Sequence, residues 1–115
     1  MNIRNFDRMN WHRAQAWHGL KSWSLSDWMT ATLGELGEAA NIVKKLNRIR
    51  DGLPGNKEGV TKVSLEADLA DEIADTYIYL SLLASAAGID LESAVLSKYN
   101  KTSERLGLPK IEVEF

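Results

Sequence analysis

The stretch SLSDWMTATLGELGEAANIVKKLNRIR, residues 24–50, decides the fold. It contains no proline, and the breaker Asp51-Gly52-Leu53-Pro54-Gly55 follows it, so it reads as one long helix. Ser24 and Ser26 are both candidate N-caps, with Asp27 near the positive end of the helix dipole. At about 100° per residue, Leu33, Leu36, Ala40 and Val43 share one face, and Trp28, Ile42, Leu46 and Ile49 share another. A helix with two apolar faces is buried on both. In so short a chain the second cover is expected from another subunit, so the reading is a homo-oligomer built around the second and third helices; the alternative is a monomer whose first helix covers that face. Gly34 and Gly37 each cost roughly 1 kcal/mol of helix propensity relative to alanine. They either admit a close neighbour or relieve packing between helices.

Outward from this helix the rest of the chain also reads as helical. A first helix is predicted over about residues 3–18, ending near Gly19, with Leu20 to Leu25 as connector. Residues 51–63 form a polar loop. Ser64 is the expected N-cap of a third helix that stops at Gly88, and Asp90 caps a fourth that runs to about Leu106 and closes at Gly107 and Pro109. The tail Ile111-Glu112-Val113-Glu114-Phe115 alternates like a strand but is too short to define a sheet. The fold class is therefore all-α, a single four-helix domain over residues 1–115.

Composition narrows the function. The net charge of −2 argues against a nucleic-acid binder, which needs a basic face. The absence of cysteine removes disulfides, thiolate zinc sites and cysteine nucleophiles. No apolar run approaches a membrane span, and the N-terminus MNIRNFDRMNWHR has no signal core, so a cytoplasmic protein is expected.

The chemistry lies in two acid pairs. Glu35-Leu36-Gly37-Glu38 falls on the second helix and Asp71-Glu72-Ile73-Ala74-Asp75 on the third, and an i, i+3 spacing sets both carboxylates of a pair on one side. Asp68 extends the third-helix stripe. A lone Glu-x-x-Glu is ordinarily a solvated surface pair. Here Glu35 and Glu38 flank the sector of Trp28, Ile42 and Leu46, and Glu72 shares its side with Leu65, Tyr79 and Leu83; acids on apolar stripes need partners. Converging carboxylates repel, and without a cation one of them takes up a proton. All-oxygen ligation suits Mg²⁺, with Mn²⁺ as substitute. A di-iron carboxylate bundle would want Glu-x-x-His, which neither His12 nor His18 completes; both read as surface or capping residues.

These residues resemble the MazG-type all-α nucleoside triphosphate pyrophosphohydrolases. The resemblance rests on Glu35-x-x-Glu38 with Glu72-x-x-Asp75 and on their flanks. The flanks are Trp23-Ser24-Leu25-Ser26-Asp27-Trp28 before the first pair, Asn41 and Lys44-Lys45-Leu46 after it, and Tyr77-Ile78-Tyr79-Leu80 after the second. Gly88-Ile89-Asp90-Leu91, Lys98-Tyr99-Asn100-Lys101 and Ser103-Glu104-Arg105-Leu106-Gly107 continue it, so it covers most of residues 20–107. It implies a four-helix protomer assembled as a dimer or dimer of dimers. It also implies Mg²⁺-dependent cleavage of a nucleoside triphosphate between the α and β phosphates, with Glu35, Glu38, Glu72 and Asp75 as metal ligands. The stretch between the pairs is longer than usual for the family, because residues 51–65 add loop that could cover the site or reach another subunit.

The remaining requirements select the other candidates. Phosphoanhydride hydrolysis needs an activated water, and Glu38, beside Glu35, is the expected proton acceptor. Phosphates need cations: Lys45 lies on the side of Glu38, and Lys98, Lys101 and Arg105 make a basic stripe on the fourth helix. Asn41 and Asn100 can hydrogen-bond sugar, base or phosphate. Trp23 and Trp28 are candidates to stack on the base, whereas Trp11 and Trp17 read as core or interface anchors. Two other classes compete with an enzyme: a helical module that senses nucleotide or metal without turnover, and a structural adaptor whose acids are merely solvated.

Overall fold

The computed structural model describes residues 2–18 and 23–112. They form four helices: α1 (Ile3–His18), α2 (Leu25–Asp51), α3 (Lys62–Ala86) and α4 (Leu91–Leu106), with no strand among the described residues. The all-α expectation therefore holds. Among the described residues no single helix is long and apolar enough to cross a membrane. The predicted end of α1 at Gly19 and residues 113–115 of the alternating tail lie outside the described residues.

Local chemistry explains each boundary. Ser24, rather than Ser26, caps α2 in a reciprocal box: its hydroxyl accepts from the Asp27 N–H at 3.3 Å, and the Asp27 carboxylate accepts from the Ser24 N–H at 2.8 Å. Gly52, at φ 66°, ends the helix in the left-handed region that suits glycine. The third helix starts earlier than expected. Thr61, not Ser64, is its N-cap, and Ser64 is the third residue of a second capping box, at 3.0 and 3.1 Å. The serine was the right chemistry at the wrong end of the motif, since a capping box uses polar residues at both positions.

α2 and α3 make the most extensive contact in the molecule, running antiparallel along their lengths. α1 lies against α3 and α4, and among the described helices α4 contacts α1 and α3 but not α2. The main buried cluster is Ala14, Trp28 and Leu82, with Trp11, Tyr79, Leu83 and Ala86 packed around them, and Ala39, Ile42, Leu65 and Ala84 are buried as well. Trp28 is its largest buried side chain, at 1% exposure. Its ring lies between Trp23, with centroids 4.7 Å apart, and Trp11, at 6.0 Å.

Polar ties lock α1 in place. The Asn10 amide donates to the Ile78 carbonyl at 2.8 Å, and the fully buried Ser81 hydroxyl donates to Asp7 at 2.6 Å. Arg4 bridges to Asp90 and Glu92 at 2.8 and 3.1 Å, joining α1 to the start of α4. The loop after α2 folds back on that helix: Asn56 donates to the Lys45 carbonyl at 3.0 Å and accepts from Arg48 at 3.2 Å. Its anchoring is thus to the last turns of α2.

Candidate metal and nucleotide site

The antiparallel α2–α3 pairing brings the two acid motifs together. Glu35, Glu38 and Glu72 each offer a carboxylate oxygen, and these oxygens all lie within 4.8 Å of one another. Glu35 and Glu72 are half-buried and Glu38 is open to solvent. Glu35 sits near the line of contact with α3, because it is two turns from Trp28 and one from Ala39, both buried. Glu38 lies further around the helix, at the edge of the seam.

The cluster is electrostatically unresolved. Glu72 Oε2 is buried and finds no hydrogen-bond partner. Among the described residues, no ion pair reaches any of the three acids. The Glu72 carboxyl is consequently pushed up to about 7, first by proton sharing with the neighbouring Glu38 carboxylate, then by burial and by Glu35. Burial is the largest cause raising Glu35, with repulsion from Glu38 and Asp75 adding to it and a hydrogen bond with Glu72 opposing it. Crowding of the carboxylates thus favours protonation of Glu72.

A pH dependence follows. Glu72 binds its proton more tightly folded than unfolded, where its value is near 4.5. The metal-free protein should therefore lose stability as pH rises from about 4.5 through about 7. A divalent cation held by these carboxylates would remove that penalty and compete with the proton. Saturating Mg²⁺ should raise the melting temperature by about 5 °C or more near pH 8, and far less near pH 5.5. Thermal melts with and without Mg²⁺ at the two pH values check this; an equal Mg²⁺ effect at both would contradict it.

Two cavities flank the acids along the seam. One, of 270 Å³, is walled by Trp17, Trp23, Trp28 and Tyr79, with Asn10, Arg13, Glu35 and Asp75 among its polar groups. The other, of 280 Å³, is polar, with Asn41, Lys45, Asp68 and Asp71 beside Glu38 and Glu72. Glu35 thus faces the aromatic pocket, and Glu38 and Glu72 face the polar one.

The sequence candidates divide accordingly. Glu35, Glu38 and Glu72 form the cluster; Asp75 lies on the Glu35 side and borders the aromatic pocket. Asn41 and Lys45 stand beside the acids, and Trp23 and Trp28 wall the aromatic pocket. Trp28 does so from the core, its ring covered by Trp11 and Trp23, whereas Trp23 is 38% exposed. Lys98, Asn100, Lys101 and Arg105 are not brought to the acids by their own chain: α4 makes no contact with α2 and borders neither cavity. Asn100 instead clasps the tail, bonding both backbone groups of Ile111 at 2.8 and 2.9 Å.

Sequence reasoning missed the part played by α1. Asn10, Arg13 and Trp17 reach the aromatic pocket, and Trp17 is largely exposed there rather than in the core. Their i, i+3, i+7 spacing marks a common helix face, yet only the docking of α1 on α3 shows what that face meets. A Cβ at Gly34 or Gly37 would meet nothing within 4 Å among the described residues, so no close approach among them explains these glycines. Compared with family models, curated proteins and solved structures, the chain matches none.

Proposed function

We propose that this chain is a MazG-like, Mg²⁺-dependent nucleoside triphosphate pyrophosphohydrolase that releases a nucleoside monophosphate and pyrophosphate, clearing unwanted nucleotides from the pool. The observation that carries the reading is the partnerless buried oxygen of Glu72 within a three-carboxylate cluster drawn from two helices. An all-oxygen, strongly negative donor set fits Mg²⁺ better than softer metals. Glu35, Glu38 and Glu72 would hold the ion, with Asp75 adjacent to Glu35. When bound, Mg²⁺ neutralises phosphate charge and lowers the pKa of a water that it holds.

The chain's own groups supply the rest. Glu38, the most open of the three acids, accepts the proton of the attacking water. Lys45 and Asn41 line the polar cavity together with Glu38 and Glu72 and take phosphate oxygens. The tryptophan-walled pocket on the other side of the acids receives the base, with Trp17 and Trp23 as its exposed aromatic surfaces and Asn10 and Arg13 at its edge. The substrate then lies along the α2–α3 seam, base toward α1 and phosphates toward the acids.

Incubation with Mg²⁺ and a panel of ribo- and deoxyribonucleoside triphosphates tests this. Release of monophosphate and pyrophosphate in equal amounts is expected for at least one of them. Diphosphate with inorganic phosphate would move the cut to another bond. Stabilisation by Mg²⁺ and nucleotide without turnover would make the chain a sensing module instead.

A further inference from the structure

One buried side chain in the wall of the aromatic pocket uses only part of its bonding capacity. Asn10 of α1 is 4% exposed and lines the pocket with Ala14, Ile78 and Leu82. Its Nδ2 donates to the Ile78 carbonyl at 2.8 Å. That bond fixes the sense of the amide, since only the nitrogen can donate to a carbonyl. It holds the nitrogen against the backbone of α3. The Oδ1 atom accepts no hydrogen bond among the described residues. Among apolar neighbours an unused acceptor is costly, and it calls for a donor from outside the fold. Other buried hydroxyls are satisfied internally: Thr32 donates to the Trp28 carbonyl and Ser81 to Asp7, and neither lines this pocket.

The chemistry of a nucleotide says which donor can arrive. With the phosphates at the acids and the base toward α1, the base edge remote from the sugar reaches Asn10. That edge carries the substituent at C4 of a pyrimidine or C6 of a purine. In cytosine and adenine the substituent is an amino group, which donates. In uracil, thymine and guanine it is a carbonyl oxygen, which would face Oδ1 with a second acceptor. Charge acts in the same direction. Glu35 and Asp75 outnumber Arg13, the one cationic side chain of the pocket, which is exposed. A negative potential favours the electropositive amino edge over a carbonyl dipole.

We propose, resting on the function inferred above, that Asn10 is the specificity-determining residue of the base pocket. It selects bases with an amino group at pyrimidine C4 or purine C6 over bases with an oxo group there.

The experiment compares triphosphates matched in size, with Mg²⁺ and the intact chain: cytosine against uracil, and adenine against hypoxanthine. A 2-pyrimidinone triphosphate, which lacks any C4 substituent, serves as the deletion. Pyrophosphate release gives kcat/KM, and tryptophan quenching by nonhydrolysable forms gives binding without turnover. The amino member should exceed the oxo member by about 100-fold and the 2-pyrimidinone by about tenfold, as for a hydrogen bond left unmade in a buried site. In Asn10→Leu the ratio within a pair should shrink to about threefold or less, the acceptor being gone. Because both substrates meet the same protein sample, loss of the tie to Ile78 cancels from that ratio. If the variant does not fold, the 2-pyrimidinone comparison on the parent protein decides. Equal or better use of the oxo members would overturn the assignment while leaving the pyrophosphohydrolase reading in place. So would an unchanged ratio in folded Asn10→Leu. Failure of every triphosphate to bind or be cleaved would remove both.

Discussion

Glu72→Gln should abolish turnover while making the metal-free protein more stable. The substitution keeps the shape of the side chain and removes one of three crowded carboxylates. Loss of a group that organises transition-state charge typically costs about 10²–10³ in rate; on the proposal that Glu72 ligates the catalytic cation, a fall of roughly 10³ in kcat is expected. Stability moves the other way. In the parent protein the Glu72 proton, bound with a pKa of about 7, must leave above neutrality and expose three mutually repelling charges. The glutamine amide carries no charge and can donate to Glu35 or Glu38. Near pH 8 without Mg²⁺ the variant should therefore melt higher than the parent, and near pH 5 the two should agree. The same melts should show the Mg²⁺ stabilisation gone. Unimpaired pyrophosphate release would remove Glu72 from the mechanism. Lower stability near pH 8 would mean that the carboxylate is satisfied in the fold, contrary to its partnerless Oε2.

Trp28→Ala should be the most destabilising single substitution in the chain. Trp28 is 1% exposed and packs against Trp11 of α1 and Trp23, in a cluster that also holds Leu82 and Tyr79 of α3. Truncating a buried aromatic residue costs about 3–5 kcal/mol through lost transfer energy and the cavity left behind. Small domains have only about 5–15 kcal/mol in total. A loss of roughly 15–25 °C in melting temperature follows, measurable by urea or thermal unfolding. Trp23→Ala makes the informative contrast. The residue is more than one-third exposed, so its truncation should cost only about 1 kcal/mol, yet it should abolish fluorescence quenching by a nonhydrolysable nucleotide. Equal stability losses at the two positions would mean that Trp23 belongs to the core and not to a base pocket. A mild Trp28→Ala variant would mean that α1 is held chiefly by its polar ties, Asn10 to Ile78 and Ser81 to Asp7.

Local signals placed the helices closely because they are local in origin. Ser24 with Asp27, Gly52 and Asp90 act within a turn of themselves, and so their roles could be read without knowing any neighbour. The error at Ser64 is of the same kind: two polar residues three apart compete for one cap, and only backbone geometry says which precedes the first turn. The acid stripe was legible for a similar reason. Carboxylates at i and i+3 on apolar faces announce unmet electrostatics whatever lies opposite, and Glu35, Glu38 and Glu72 do converge.

The chain alone also determined that α2 carries more apolar surface than one neighbour can cover; the exposed side chains of Met29, Leu33, Leu36 and Val43 are that surplus. What it left open was every question of which face meets which. The i, i+3, i+7 face of α1 became a pocket wall with Arg13 and Trp17 only because that helix docks beside α3. The basic stripe of α4 stood away from the acids because the same docking keeps α4 from α2. Helical period assigns each side chain a direction about its own axis, whereas the relative rotation of two helices depends on packing among residues far apart in the chain, and that information exists only once they have closed on one another.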